Sequence, residues 1–428
     1  MNTAVDAGAL LAEMSRAAAP FIELRRDLHR HPELGFAELR TAAIVAERLA
    51  AWGYEVTREV GGTGVVGTLR RGGGTRSLGL RADMDALPIQ EAEGEGRPWR
   101  SRHAGRMHAC GHDGHTAMLL AAAERLAQQA DFNGTLHLIF QPAEELGGVP
   151  GGSGAQRMLA DGLLQRFPCD AVFAMHNMPG IPQGRLVLRE GAAMASSDYA
   201  TITLHGVGGH GAMPQHAADP VVAAASLVMA LQTIVSRNVD PQQTAVVTVG
   251  ALHAGQAHNV IPAQATLELS VRALDRGVRK LLEQRIHTLA QSQAESYGLR
   301  AEVAWKRGYS VLVNTPAETE LARQVALELL GPEQVTLQGP ALTGSEDFAF
   351  LLEQVPGSYL LIGNGERGER SAEDQGAALP PPGACMVHHP GYDFHDDNVA
   401  VGAAFWVRLV ERFLVDQVGQ VGQVDQGR

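Results

Sequence analysis

Apolar residues recur at helical spacing from Ala7 to Leu28 and again from Glu38 to Trp52, where Gly53 stops the pattern. Short β-rich runs follow at Gly64 to Leu69, Ser77 to Arg81, Thr135 to Phe140 and Ala171 to Met175, with a helical stretch, Thr116 to Gln129, among them. Strands that alternate with helices predict an α/β domain built on a central mixed sheet, with chemistry on the loops at strand ends. The pattern changes near Met194. Tyr199 to His205, Ala245 to Gly250, Ala265 to Arg272 and Arg300 to Lys306 read as strands, and Pro220 to Val235 and Val278 to Ser296 as helices. That β-α-β-β-α-β order predicts a small inserted α+β sandwich.

After Gly308 the α/β pattern resumes, with a helix at Ala317 to Leu330, a strand at Ser358 to Ile362 and a last helix at Val399 to Leu414. The expected organisation is therefore a discontinuous domain, residues 1–193 and 310–414, around an inserted domain, residues 194–309. The segment Gly365 to Pro382, rich in Gly, Pro and charge, is expected to be a mobile loop. The tail, residues 415–428, has no amphipathic face and is expected to be disordered.

Composition narrows the function classes. The chain has 428 residues and a net charge of −12, and 45% of it is hydrophobic. It shows no block of Lys and Arg, so neither nucleic acid nor an anionic membrane is an expected partner. Its apolar runs read as too short or too charged for a membrane span. Three separated cysteines, Cys110, Cys169 and Cys385, do not suggest a disulfide framework and favour a reduced, cytoplasmic setting. Asp6, Glu13, Glu23 and Asp27 interrupt the apolar residues near the start in a way that does not suit a secretory leader. The count that stands out is 17 histidines.

Several of those histidines cluster with other metal-binding residue types. Met107 to His115 holds one thiol and three imidazoles, and Cys110-Gly111-His112 can direct both side chains at one divalent ion. A His-rich surface loop is the bland alternative. Glu144 and Glu145 follow the apolar strand Thr135 to Phe140, so one carboxylate can bind a metal while the other moves protons. His176 ends another apolar run, although a histidine so placed is more often a hydrogen-bonded core residue than a ligand. A fourth segment, Val387 to His395, presents further imidazoles around Pro390 and Gly391. Four such loops at strand ends form a converging site.

The series Leu24 to His29 with His31-Pro32-Glu33, Arg81 to Pro88, His108 to His115, Phe140 to Glu145 and His388 to Asp397 resembles the M20 metallopeptidase family over nearly the whole chain. The match is to its amidohydrolase branch, which takes hippurate, other N-acyl amino acids and indole-acetyl amino acids. The resemblance implies a catalytic domain with two divalent metals (manganese, zinc, cobalt or nickel), and an inserted lid through which the protein forms a homodimer or a higher oligomer. It implies Cys110, His112, Glu145, His176 and His388 as ligands, Cys110 standing where many relatives use a bridging carboxylate. Glu144 falls on the general base and Asp85 on an acid that orients a metal-site residue. His210, in Gly208 to Pro214, matches a lid histidine that reaches the partner subunit's site. Asn259, Arg272 and Gly344, the last in the loop Gly344 to Phe348, match substrate contacts.

The chain departs from the family pattern in places. His395 stands where relatives usually have asparagine, which makes it a rival to His388. Val207 replaces a common lysine, His205 differs, and Gly365 to Pro382 is longer. The implied reaction is hydrolysis of a small-molecule N-acyl amino acid. A dipeptidase, an N-acetyl-amino-acid deacetylase and a catalytically silent metal-binding protein are the alternatives.

Overall fold

The computed structural model describes residues 7–415, apart from 95, 130, 149 and 366–382. The expected loop Gly365 to Pro382 and the tail therefore fall almost wholly outside the described residues. The large sheet has eight strands, in the spatial order Glu55–Val60, Gly64–Arg71, Gly134–Gln141, Ser77–Asp83, Ala171–Met178, Gly357–Gly363, Leu186–Val187 and Val335–Thr336. It is mixed. Ser77–Asp83 runs parallel to both Gly134–Gln141 and Ala171–Met178, and Gly357–Gly363 continues that parallel block. Strands buried on both faces need unbroken apolar runs, and the burial of Ala171–Met178 and Gly357–Gly363 agrees.

The helix His112–Gln129 covers one face of this sheet and is buried on nearly every side, because Asn398–Phe413 and Ala19–Arg30 pack over it. Gly402 is required at that crossing, since a Cβ there would come within 2.2 Å of Met118 Sδ. The single N-terminal helix expected from Ala7 to Leu28 is two, Ala7–Ala17 and Ala19–Arg30. Pro20 lacks the N–H that a continuous helix would need at that point.

The second sheet has four antiparallel strands, Ala245–Ala254, Gln264–Ala273, Ser196–His205 and Arg300–Arg307 in spatial order. Its inward residues alternate along Ser196–His205 and Gln264–Ala273 and meet the helices Pro220–Asn238 and Arg276–Ser296 in a separate apolar core. Pro220–Asn238 corrects one expectation: at 19 residues and a mean hydropathy of 1.5, it is long and apolar enough to cross a membrane. Its Ala223, Leu227, Leu231 and Ile234 are nevertheless buried in the core of the smaller sheet. The run looks membrane-like because this helix is apolar beyond its packed face, with Val222 and Met229 exposed.

Candidate metal centre and active site

The parallel block carries its chemistry at one end. Beyond the carboxyl ends of Ser77–Asp83 and Gly134–Gln141 lie Asp85, Glu144 and Glu145, and His176 sits near the end of Ala171–Met178. His112 opens its helix four residues earlier than the pattern suggested, and Gly111, at φ +97°, makes the turn that precedes it. A Cβ on Gly111 would strike Asn177 Nδ2 at 2.2 Å and Tyr392 Oη at 2.4 Å, so the close approach needs glycine. Two non-glycine residues also adopt left-handed backbone here, Ala143 at φ 49° and His388 at φ 66°. Such strain costs about 1–3 kcal/mol per residue and tends to be kept where it positions chemistry.

Donor atoms of Cys110, His112 and His176 lie within 4.8 Å of one another, and so do those of Cys110, Glu145 and His388. Cys110 belongs to both groups. Its Sγ is 3.3 Å from His176 Nε2, and His388 Nε2 is 3.1 Å from Glu145 Oε1. His112 Nε2 is buried without a hydrogen-bond partner among the described residues, whereas Glu145 Oε1, also buried, has the close approach of His388. Orphaned buried donors and acceptors are costly, and this set of thiol, imidazole and carboxylate suits a divalent cation. His395 is not in either group; its ring lies 3.9 Å from Asp397, which leaves His388 as the histidine beside Cys110.

Other side chains hold these donors in orientation. Asp85 accepts from His112 Nδ1 at 3.1 Å and from the Glu145 backbone N–H at 3.0 Å. His176 Nδ1 donates to the Asn177 carbonyl at 2.6 Å, which leaves Nε2 facing Cys110. His115, by contrast, has both ring nitrogens engaged, with Asp83 at 2.6 Å and the Asn177 N–H at 3.0 Å. The buried Arg25 ties Asp113, one residue beyond His112, to Asp393 and Asp396 in the loop that follows His388. His108 is buried, and neither of its ring nitrogens has a partner among the described residues.

Charge in the site is crowded. Burial pushes the Cys110 thiol up, and Glu145 and Glu144 add to the rise. Burial alone would lower His112, but Asp83 and the Asp85 hydrogen bond outweigh it and lift the imidazole to about 10. Glu144 is raised by burial and then by Glu346, Glu145 and Asp347. Burial takes Asp347 to about 8 despite Arg81. Arg81 is itself buried, 2.7 Å from Asp83 and 2.9 Å from Glu346.

A cavity of about 480 Å³ opens onto this cluster. Cys110, Glu144, Glu145, His176 and His388 line it, together with Arg272 and Gly344. Arg272 Nη1 donates to Ser345 Oγ at 3.0 Å, and its guanidinium lies 5.9 Å from the Tyr199 ring centre. His210 and Asn259 do not line the cavity. They sit together, exposed, on the ribbon that pairs Gly209–His210 with Val260–Ile261, where Gly211 N–H donates to the Asn259 carbonyl.

Reasoning from sequence missed several residues at this site. Tyr309 Oη donates to the Glu144 carbonyl, and Tyr359, Met178 and Met194 complete part of the wall. Arg81 offered a signal, a cation between Leu80 and Ala82 in an apolar strand, that could have been read as a buried ion pair.

The model of peptidase family M20/M25/M40 matches residues 79–412. The chain belongs to that family. It is 42% identical to a hippurate hydrolase of Campylobacter jejuni, over 95% of this chain and 99% of that protein. An N-acetyl-L-cysteine deacetylase of Bacillus subtilis is 40% identical over 94% of this chain and 90% of its own length. Among solved structures, a putative aminohydrolase from methicillin-resistant Staphylococcus aureus aligns with a TM-score of 0.83 at 32% identity, covering 95% of this chain and all of that one. A dinuclear metal-binding M20 peptidase from Bacillus subtilis aligns with a TM-score of 0.77 at 31% identity, covering 93% and 98%. This M20 protein is a metal-dependent amidohydrolase of the family's amidohydrolase branch.

Two predictions follow from the donor geometry. Asp85→Ala should weaken divalent-metal binding by about 10- to 100-fold, the usual cost of losing a group that orients a metal ligand, as read by equilibrium dialysis with metal analysis. Loading the metal-free protein should release protons, because His112 holds one below about pH 10 and the Cys110 thiol is raised too. Metal affinity should therefore rise from pH 6 to pH 9, and calorimetry in buffers of different ionisation enthalpy should show the release. No buffer dependence would remove both groups from the ligand set.

Proposed function

We propose that this M20 amidohydrolase cleaves the amide bond of N-acyl amino acids, giving a carboxylic acid and a free amino acid. The observation that carries this reading is Arg272, whose guanidinium opens into the same cavity as Glu144 and the donor cluster. A guanidinium can bind a free α-carboxylate bidentately, which favours a terminal amino acid over an internal peptide bond. Residues 1–193 and 310–414 are the catalytic domain in this reading, and residues 194–309 the lid.

Cys110, His112, Glu145, His176 and His388 are the proposed ligands of two divalent ions, drawn from manganese, zinc, cobalt and nickel. When bound, such a pair supplies Lewis acidity and lowers the pKa of water. The chain's own residues do the rest. Glu144, buried and crowded by carboxylates, is suited to take a proton from the attacking water and return it to the departing nitrogen, a role worth roughly 100- to 10,000-fold in rate. Tyr309 fixes the backbone of that glutamate through its carbonyl. Arg272 and Ser345 orient the substrate carboxylate, beside the backbone of Gly344.

His210 and Asn259 are outside the lining of the cavity, and in this reading they act on the partner subunit's site. The exposed Val222 and Met229 of Pro220–Asn238 and Leu252 on the outer strand Ala245–Ala254 are the apolar surface such a homodimer would cover. A cytoplasmic setting is part of this reading. Deacetylation of N-acetyl amino acids is the second reading, favoured by the 40% identity to the Bacillus subtilis deacetylase.

Assays with hippurate, N-acetyl-methionine and a dipeptide should give the highest kcat/KM on hippurate, and a preference for N-acetyl-methionine would select the second reading. Glu144→Gln should lower kcat at least about 100-fold with metal content unchanged; normal turnover would remove Glu144 as the base. His210→Ala should be slow alone, and mixing it with Glu144→Gln protein should recover activity in exchanged heterodimers. If subunits exchange and no activity returns, the histidine does not act across the dimer.

A further inference from the structure

We infer that Met194 is a side-chain gate that sets which amino acid the enzyme accepts at the carboxyl side of the scissile bond. The inference rests on the reading that Arg272 takes the substrate carboxylate. In an amino acid, the carbon bearing the carboxylate also bears the side chain, so that side chain emerges next to the Arg272 anchor. The anchor is tied to Ser345. Its chain neighbour Gly344 touches Met194: the Met194 Cε lies 3.2 Å from where a Cβ on Gly344 would stand. Met194 therefore stands beside the loop that holds the anchor, while the Tyr199 ring stands beside the guanidinium itself.

Behind it is a second, smaller cavity of about 20 Å³. Met194, Leu342 and Tyr359 line both this space and the main cavity, so their side chains form the partition. The far side is made by Val187, Ala193, Pro340 and Leu361, with Arg189 also in the lining. A space of this size has room for a group about as large as one water or one methyl.

The backbone of the partition is fixed. Leu342 N–H donates to the Ala193 carbonyl at 2.8 Å, and Ala195 N–H donates to the carbonyls of Leu342 at 3.0 Å and Gly344 at 2.9 Å. Movement must therefore come from side chains. A methionine, unbranched and with several soft torsions, turns more easily than the aromatic ring of Tyr359. In this inference, Met194 in its present position leaves room beside the anchor for the small side chains of glycine and alanine. Larger side chains must first turn the thioether into the space behind.

The test compares N-benzoyl-glycine with N-benzoyl-leucine on the metal-loaded enzyme. Wild type should favour glycine. Met194→Ala merges the two cavities and should raise the leucine-to-glycine ratio of kcat/KM by about 10-fold or more, in the range that one or two methylenes command in an apolar pocket. Met194→Val should move the ratio in the same direction, which keeps the test valid if the alanine variant folds poorly. A ratio unchanged or lowered in both variants overturns the gate. Failure of the underlying reading looks different: wild type would then treat N-benzoyl-glycine and its uncharged amide alike, whatever Met194 does.

Discussion

Asp85 divides its two carboxylate oxygens between His112 Nδ1 and the backbone N–H of Glu145, and the arrangement of the site depends on that division. The two loops it joins come from different elements, one opening the helix His112–Gln129 and the other following the strand Gly134–Gln141. A buried carboxylate that loses one of its donors incurs a desolvation penalty of about 1–3 kcal/mol, so each contact holds the other in place. The geometry also selects a tautomer. With Nδ1 engaged by Asp85, His112 Nε2 is the nitrogen left beside Cys110 and His176.

Crowding acids around such a centre creates an electrostatic problem that two buried arginines share. Arg81 lies among Asp83, Glu346 and Asp347, on the side of Glu144. Arg25 lies behind the donor loops among Asp113, Asp393 and Asp396. Buried ion pairs of this kind add little net stability compared with apolar packing, yet removing one partner typically costs about 3–5 kcal/mol. Their contribution is better understood as register. Arg25 fixes the spacing between the loop of His112 and the loop of His388, and a guanidinium's rigid fork suits that task better than an ammonium.

How much of this was legible in the sequence follows from the range of each interaction. Ala171–Met178 was visible as an unbroken apolar run and Gln264–Ala273 as an alternation, because burial on two faces or on one is written into a few consecutive residues. Cys110, His112, Glu144, Glu145, His176 and His388 were visible because reactive residue types stood at the ends of apolar runs. The start of the helix at His112 was hidden by glycines and polar residues that resemble a loop. Arg25, between Ile22 and Leu28 on a helix, showed itself only as a charge, since its partner Asp393 is 368 residues away. Met194 marked only a change of pattern along the chain. Nothing local in the sequence reveals that its far side borders a second cavity, or that Asn259 lies outside the lining of the main one.

A net charge of −12 says little about how the proposed anionic substrate would be received, because the proposed anchor is held by a single loop. Ser345 holds the Arg272 guanidinium, Glu346 and Asp347 hold Arg81, and the Asp347 N–H lies 3.4 Å from Glu144 Oε1. Three consecutive residues therefore link the carboxylate anchor to the proposed base. Displacing the loop would move the anchor and disturb the contact with Glu144 together. In an N-acyl α-amino acid, one carbon separates the carboxylate from the scissile nitrogen. A short, rigid connection between anchor and base matches that chemistry, whereas a longer substrate would need the anchor farther from Glu144.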